Sequence, residues 1–184
     1  MKQKQTIQQY DKELQQCVDI FKNKSKDYGT SWRVLRPISI ADQIMIKGLR
    51  IRNIQETGTQ VIDENIEDEF RGIANYGIIA QIQLVLQEDD EWELSADKAV
   101  KLYEEKAREI RSLMLKKNTD YGEAWRKMTQ ESMVDLILSK LQRIRRIIAQ
   151  NGKTLVSEGM DANFADIVNY AMFALIKMSE EQIV

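Results

Sequence analysis

Apolar residues recur at three- and four-residue spacings along most of the chain, separated by polar and charged positions. Ile7, Tyr10, Leu14, Cys17, Val18 and Phe21 form one stripe and predict a helix over residues 6–24. Residues 25–37 interrupt it. Gly29 suits a positive φ there, and Pro37 suits the entry to a second helix. That helix is predicted over 39–55 from Ile40, Ile44, Ile51 and Ile54, and Thr57-Gly58-Thr59 ends it. A third is predicted over 63–87 from Ile66, Phe70, Ile73, Gly77, Ala80 and Leu84. After an acidic segment containing Trp92, Ser95 followed by Asp97 reads as a helix N-cap. Helices then follow over 96–117, 131–150 and 159–181, with a turn at 118–122 and a loop at 151–157. Alternating, β-branched strand patterns are absent. The fold class expected is all-α, with three helices in each half.

The second half repeats the first. Lys26-Asp27-Tyr28-Gly29-Thr30-Ser31-Trp32-Arg33 returns as Thr119-Asp120-Tyr121-Gly122-Glu123-Ala124-Trp125-Arg126. The offset is 93 residues (Asp27 against Asp120), and it also aligns Tyr10 with Tyr103, Lys24 with Lys117, Asp42 with Asp135 and Lys47 with Lys140. After one inserted residue the offset becomes 94 (Gly58 against Gly152), aligning Glu64 with Glu158, Phe70 with Phe164 and Asn75-Tyr76 with Asn169-Tyr170. Two copies are too few for a solenoid. The arrangement expected is two tandem three-helix repeats, 1–88 and 95–184, joined by a linker at 89–94. They would pack as a pseudo-twofold bundle, with the third helices near the axis. Halves of this size are marginal alone, which argues for one compact unit.

Composition narrows the chemistry. The chain of 184 residues has no histidine and one cysteine, so histidine general-base catalysis, an internal disulfide and a closed zinc site are excluded. A metal would have to sit on oxygen ligands, which favours Mg2+ or Mn2+. The net charge of −2 gives no global attraction to nucleic acid or an anionic membrane. No apolar run is long enough to span a bilayer, and the start of the chain is polar, so the expected location is the cytoplasm.

Three constellations could carry function. Glu64, Asp68 and Asn75 share one face of the third helix, as do Glu158, Asp166 and Asn169 of the sixth, with Asp161 nearby. These acids are candidate metal ligands. The plain alternative is capping and dipole stabilisation at a helix start. Lys47 with Arg50, and Lys140 with Arg143, are candidate phosphate-binding pairs, with ion pairs to Asp42, Asp135 or the third-helix acids as the alternative. Tyr28, Trp32, Tyr121 and Trp125 could stack on a base, though the tryptophans read more readily as wedges between helices. Asp27 and Asp120 could ligate a metal or cap the following helix.

The Asp-Tyr-Gly-x-x-Trp turn, the Asp-x4-Lys-x2-Arg-Ile helix and the Glu…Asp…Asn-Tyr helix together resemble a family of bacterial and phage proteins. It was first catalogued as a domain of unknown function and later called nucleotide-modification-associated domain one. The likeness covers nearly the whole chain, once per half. That family is in turn similar, more distantly, to all-α nucleoside triphosphate pyrophosphohydrolases of the MazG kind, which hold magnesium on helical carboxylates. The resemblance implies a metal-dependent pyrophosphohydrolase acting on a (deoxy)nucleotide between the halves. Glu64, Asp68, Glu158, Asp161 and Asp166 would hold metal, and Asn75 and Asn169 would contact the base or support the fold. No catalytic residue is singled out. The family pattern has a further acid where this chain has Gly72 and another where it has Ala162. Two alternatives therefore stand beside the enzyme: a non-catalytic nucleotide-binding module and a helical interaction protein. The partner expected is a nucleotide or another small phosphate-bearing ligand. Nucleic acid and membrane are disfavoured, and a homo-oligomer is left open.

Overall fold

The computed structural model describes residues 2–86 and 91–181. Among these, the chain forms long helices and no strands: α1 (Lys2–Tyr28), α2 (Pro37–Thr57), α3 (Ile66–Leu86), α4 (Ala96–Tyr121), α5 (Gln130–Ala149) and α6 (Met160–Glu181). A single 3₁₀ turn, Ser31–Val34 or Ala124–Lys127, follows the first helix of each half. The all-α, twice-three-helix plan is the one that the apolar periodicity predicts.

Helix boundaries differ from the sequence reading where glycine controls them. α1 and α4 run on to Tyr28 and Tyr121 and are stopped by Gly29 (φ 59°) and Gly122 (φ 58°). Both glycines adopt the left-handed conformation that ends a helix at little steric cost. Asp27 and Asp120 therefore lie in final helical turns, exposed, and cap nothing that follows. Pro37 opens α2, as expected of a residue without a backbone N–H. Ser95 caps α4 through the Lys98 amide. The cap of α3 is Asn65, whose side chain accepts from the Asp68 amide at 2.8 Å, rather than Glu64.

Each helix packs against its own repeat equivalent: α1 on α4, α2 on α5, α3 on α6. These three pairings define the pseudo-twofold arrangement. α3 and α6 form its centre, with Phe70, Ile73, Ile78, Phe164, Ile167 and Val168 fully or almost fully buried. A Cβ added at Gly77 would come within 2.5 Å of Val168 Cγ2, so glycine sets the α3–α6 approach. One apolar core runs through both halves.

Two sets of polar contacts between the halves come in symmetric pairs. Tyr10 of α1 donates to Asn169 Oδ1 of α6 at 2.8 Å, and Tyr103 of α4 donates to Asn75 Oδ1 of α3. Arg52 reaches Asp135 at 3.6 Å, and Arg145 reaches Asp42 at 3.5 Å. Each half thus uses its first helix to hold a side chain on the third helix of the other. Residues 89 and 90 of the expected linker lie outside the described residues. Of the rest, Glu91, Trp92 and Glu93 are exposed, but Leu94 is buried and its amide donates to Thr30 Oγ1 at 2.9 Å. Cys17 is fully buried, and burial pushes its thiol up to about 12, so it acts as a small apolar core residue. No helix among the described residues is long and apolar enough to cross a membrane.

Candidate functional site

Each half builds one cleft at equivalent positions. Each is walled by the end of the half's first helix, its second helix and the first turns of its third. The second-half cleft has a volume of about 440 Å³ and the first-half cleft about 550 Å³. Each is lined by residues of its own half only. Neither of these two clefts is the composite site expected between the halves. Asn75 lines the first-half cleft and Asn169 the second, each bonded to a tyrosine of the other half.

The floor of each cleft is the tryptophan of the Asp-Tyr-Gly-x-x-Trp turn. Trp32 is 8% exposed and Trp125 6%, as core wedges would be, whereas Tyr28 (70%) and Tyr121 (73%) stand open at the mouths. Trp125 stacks on Phe173 at 4.4 Å between centroids, and the Arg126 guanidinium lies 4.3 Å from its ring centre. Its indole N–H donates to Asn118 Oδ1 at 3.1 Å. The turn's backbone is clamped from the third helix in both halves. Lys177 donates to the carbonyls of Arg126 and Met128 (3.2 and 2.6 Å), and Gln83 to those of Arg33 and Leu35 (2.9 and 2.8 Å).

The charged groups differ between the clefts. In the second half Asp166, 8% exposed, receives Lys117 Nζ at 2.7 Å on one oxygen and Lys140 Nζ at 2.6 Å on the other. Burial pulls the Lys117 ammonium down, but the Asp166 hydrogen bond and charge outweigh it, and its pKa is raised. Arg143 has no ion-pair partner among the described residues, because Asn163 stands where the first half has an acid. In the first half that acid is Glu69, buried, which takes Lys47 at 3.1 Å and Arg50 at 2.5 Å. Gly72 stands where Asp166 would be, and Lys24, the equivalent of Lys117, makes no ion pair among the described residues. The neutralising carboxylate has moved by one helical turn between the copies, so a different cation is left unpaired in each.

The five expected metal ligands are not gathered into one group. Among the described residues no group of three or more acids is placed to hold a metal ion. Asp166 is taken by two ammonium groups. Asp68 is exposed and pairs with Arg71 at 3.2 Å. Glu64 is exposed on the first cleft's rim, 3.6 Å from Arg50, and Glu158 is exposed on the second's. Asp161 does not line the cleft; its carboxylate lies back against Gly159 at the start of α6. Spacing put these acids on one face, but long basic side chains from neighbouring helices reach the inner ones, and the others point to solvent. Lys47, Arg50 and Lys140 are likewise paired with third-helix acids. Asn75 and Asn169 both line their clefts, each fixed by a tyrosine of the other half.

The sequence reading passed over Lys24, Lys117, Glu69 and Asn118. The match of Lys24 to Lys117 at the repeat offset was the signal for the first two. Glu69 and Asn118 differ between copies and so leave no trace in the repeat. Among protein families, residues 24–84 and 117–178 each match nucleotide modification associated domain 1. No curated protein and no solved structure matches the chain. The two matched stretches cover more than half of the chain and contain all the cleft-lining residues except Ile20, Phe21 and Met114. The chain belongs to the nucleotide modification associated domain 1 family and carries two tandem copies of it.

Proposed function

We propose that this protein binds a nucleotide in the kind of cleft that each half builds. The aromatic wall would face the base, and the lysines of the first and second helices would face the phosphates. The observation that carries this reading is the repeated meeting of a tryptophan floor, an open tyrosine, an oriented asparagine and two lysines in one cleft. Clefts of 440–550 Å³ fall in the size range of small-molecule sites. Lysine serves phosphate as a point charge, and an asparagine amide can read a base edge. The family's link to nucleotide modification supports the same ligand class, and a cytoplasmic location goes with it. The hydrolytic reading, a metal-dependent pyrophosphohydrolase, needs carboxylates free to take a metal, and Asp166 as paired is not free. Binding without turnover is therefore the reading preferred.

A thermal-shift screen over common and modified nucleotides, with and without magnesium, tests it. A ligand at a hundredfold its dissociation constant stabilises by about 2.7 kcal/mol. For a chain of this size that is a rise of about 5–11 °C. Pyrophosphate and phosphate release are followed in the same samples. No shift with any nucleotide would sink the binding reading, and a shift accompanied by turnover would replace it with the hydrolytic one.

A further inference from the structure

The two clefts have diverged in a way that separates a filled anion position from an open one. In the second half the position between the two lysines is filled by the chain's own Asp166 carboxylate. In the first half the equivalent residue is Gly72, which has no carboxylate, and Lys47 instead lies over it: a Cβ there would meet Lys47 Cε at 2.8 Å. Lys24, on the opposite wall, has no partner among the described residues. A second, independent observation lies in the floor of the same cleft. The Trp32 indole N–H is buried and has no acceptor. Its counterpart on Trp125 is satisfied by Asn118, but the matching residue on α1 is Ser25, which is too short to serve. The nitrogen itself is closed to solvent, and an unpaired buried donor costs about 1–3 kcal/mol, so a small turn of the ring that brings the N–H to an acceptor in the cleft is favoured.

The geometry points to the first-half cleft as a receptor for a ligand oxyanion, a phosphate group, held where Asp166 sits in the second half. Lys24 and Lys47 contact it, and the Trp32 ring, turned so that its N–H opens to the cleft, donates to an acceptor oxygen of the same ligand. Glu69 keeps Arg50 when Lys47 turns away, so the buried acid is not left unpaired. In the second-half cleft the Asp166 carboxylate already occupies that position, so a phosphate does not sit there. The inference rests on the nucleotide reading for the identity of the ligand but not for the anion site itself.

The test follows the three tryptophan indole N–H signals by NMR while inorganic pyrophosphate or dATP is titrated in, with Trp32→Phe assigning the Trp32 signal. Both probes should move the Trp32 signal. Gly72→Asp installs the second half's own carboxylate and should weaken pyrophosphate about tenfold or more, the worth of a charge-assisted hydrogen bond. Lys24→Ala, at an exposed position where folding is not at stake, should do the same. If the Trp125 signal moves and the Trp32 signal does not, or if both variants bind like the parent, the assignment to the first half is wrong and the nucleotide reading survives. If pyrophosphate moves Trp32 but dATP does not bind, the anion site stands and the nucleotide reading falls. If neither probe moves any signal, both fall.

Discussion

Replacing Tyr10 with Phe tests whether the halves depend on each other through the buried tyrosine–asparagine bonds. Tyr10 is almost completely buried, and burial pushes its phenol far above the ordinary range, so it remains a donor at any workable pH. Its hydroxyl is 2.8 Å from Asn169 Oδ1, and Asn169 is itself buried. Phe keeps the ring and removes only the donor, leaving a carbonyl oxygen without a partner. That costs about 1–3 kcal/mol. At about 2–4 °C per kcal/mol for a chain of this length, the melting temperature should fall by about 2–12 °C. Urea denaturation should show a lower midpoint with an unchanged slope. Tyr103→Phe should behave alike through Asn75. The two bonds share no partner, so the double variant should lose the sum to within about 0.5 kcal/mol. Adding Asn169→Leu to Tyr10→Phe should cost less than Tyr10→Phe and Asn169→Leu do separately in sum, because no orphaned oxygen then remains. A loss below about 0.5 kcal/mol in both single variants would mean that water or a rotated amide serves the asparagines. The account of cross-half support would then fail.

Four other outcomes follow from named contacts. Lys140→Ala leaves Asp166 with Lys117 alone and should lower stability by on the order of 1–3 kcal/mol, measured by urea unfolding, whereas Lys153→Ala on an exposed loop should change little. The Lys117 pKa is raised on folding, so its contribution is complete below the ordinary lysine value, about 10.4, and is lost as pH rises through the higher folded value; Lys117→Met should flatten that alkaline decline. Burial pulls Glu123 upward, but hydrogen bonds from Thr6, Arg126 and Asn118 outweigh it and lower its pKa; its contribution is present above the ordinary carboxylate value and is lost as pH falls through the folded one, so Glu123→Gln should shallow the acid limb of the stability curve. Gly77→Leu should cost about 1–3 kcal/mol by overpacking, read from the thermal midpoint, since even a Cβ there meets Val168 at 2.5 Å.

The helices and the duplication were legible in the sequence because both are local or repeated properties. A 3.6-residue apolar period acts within one helix, and Gly29, Pro37 and Ser95 punctuate by their own backbone or side-chain chemistry. Burial of the tryptophans was legible too, since a large apolar ring in a tight turn between helices has few places to go but inward. The ends of α1 and α4 were read short because the sequence cannot say whether a glycine closes the last turn or opens a loop before it. The site depended on tertiary structure. Spacing can place Asp166, Asp68 and Glu69 on a helix face, but not what a neighbouring helix presents to that face. Lysine and arginine reach several ångströms beyond their backbone, so the position of one acid, at 69 in one copy and 166 in the other, determined which cation was neutralised and which was left open. The same holds for Tyr10 and Tyr103. Their partners lie in the opposite half, and only the packing of α1 on α6 and α4 on α3 brings those hydroxyls to the asparagines that line the clefts.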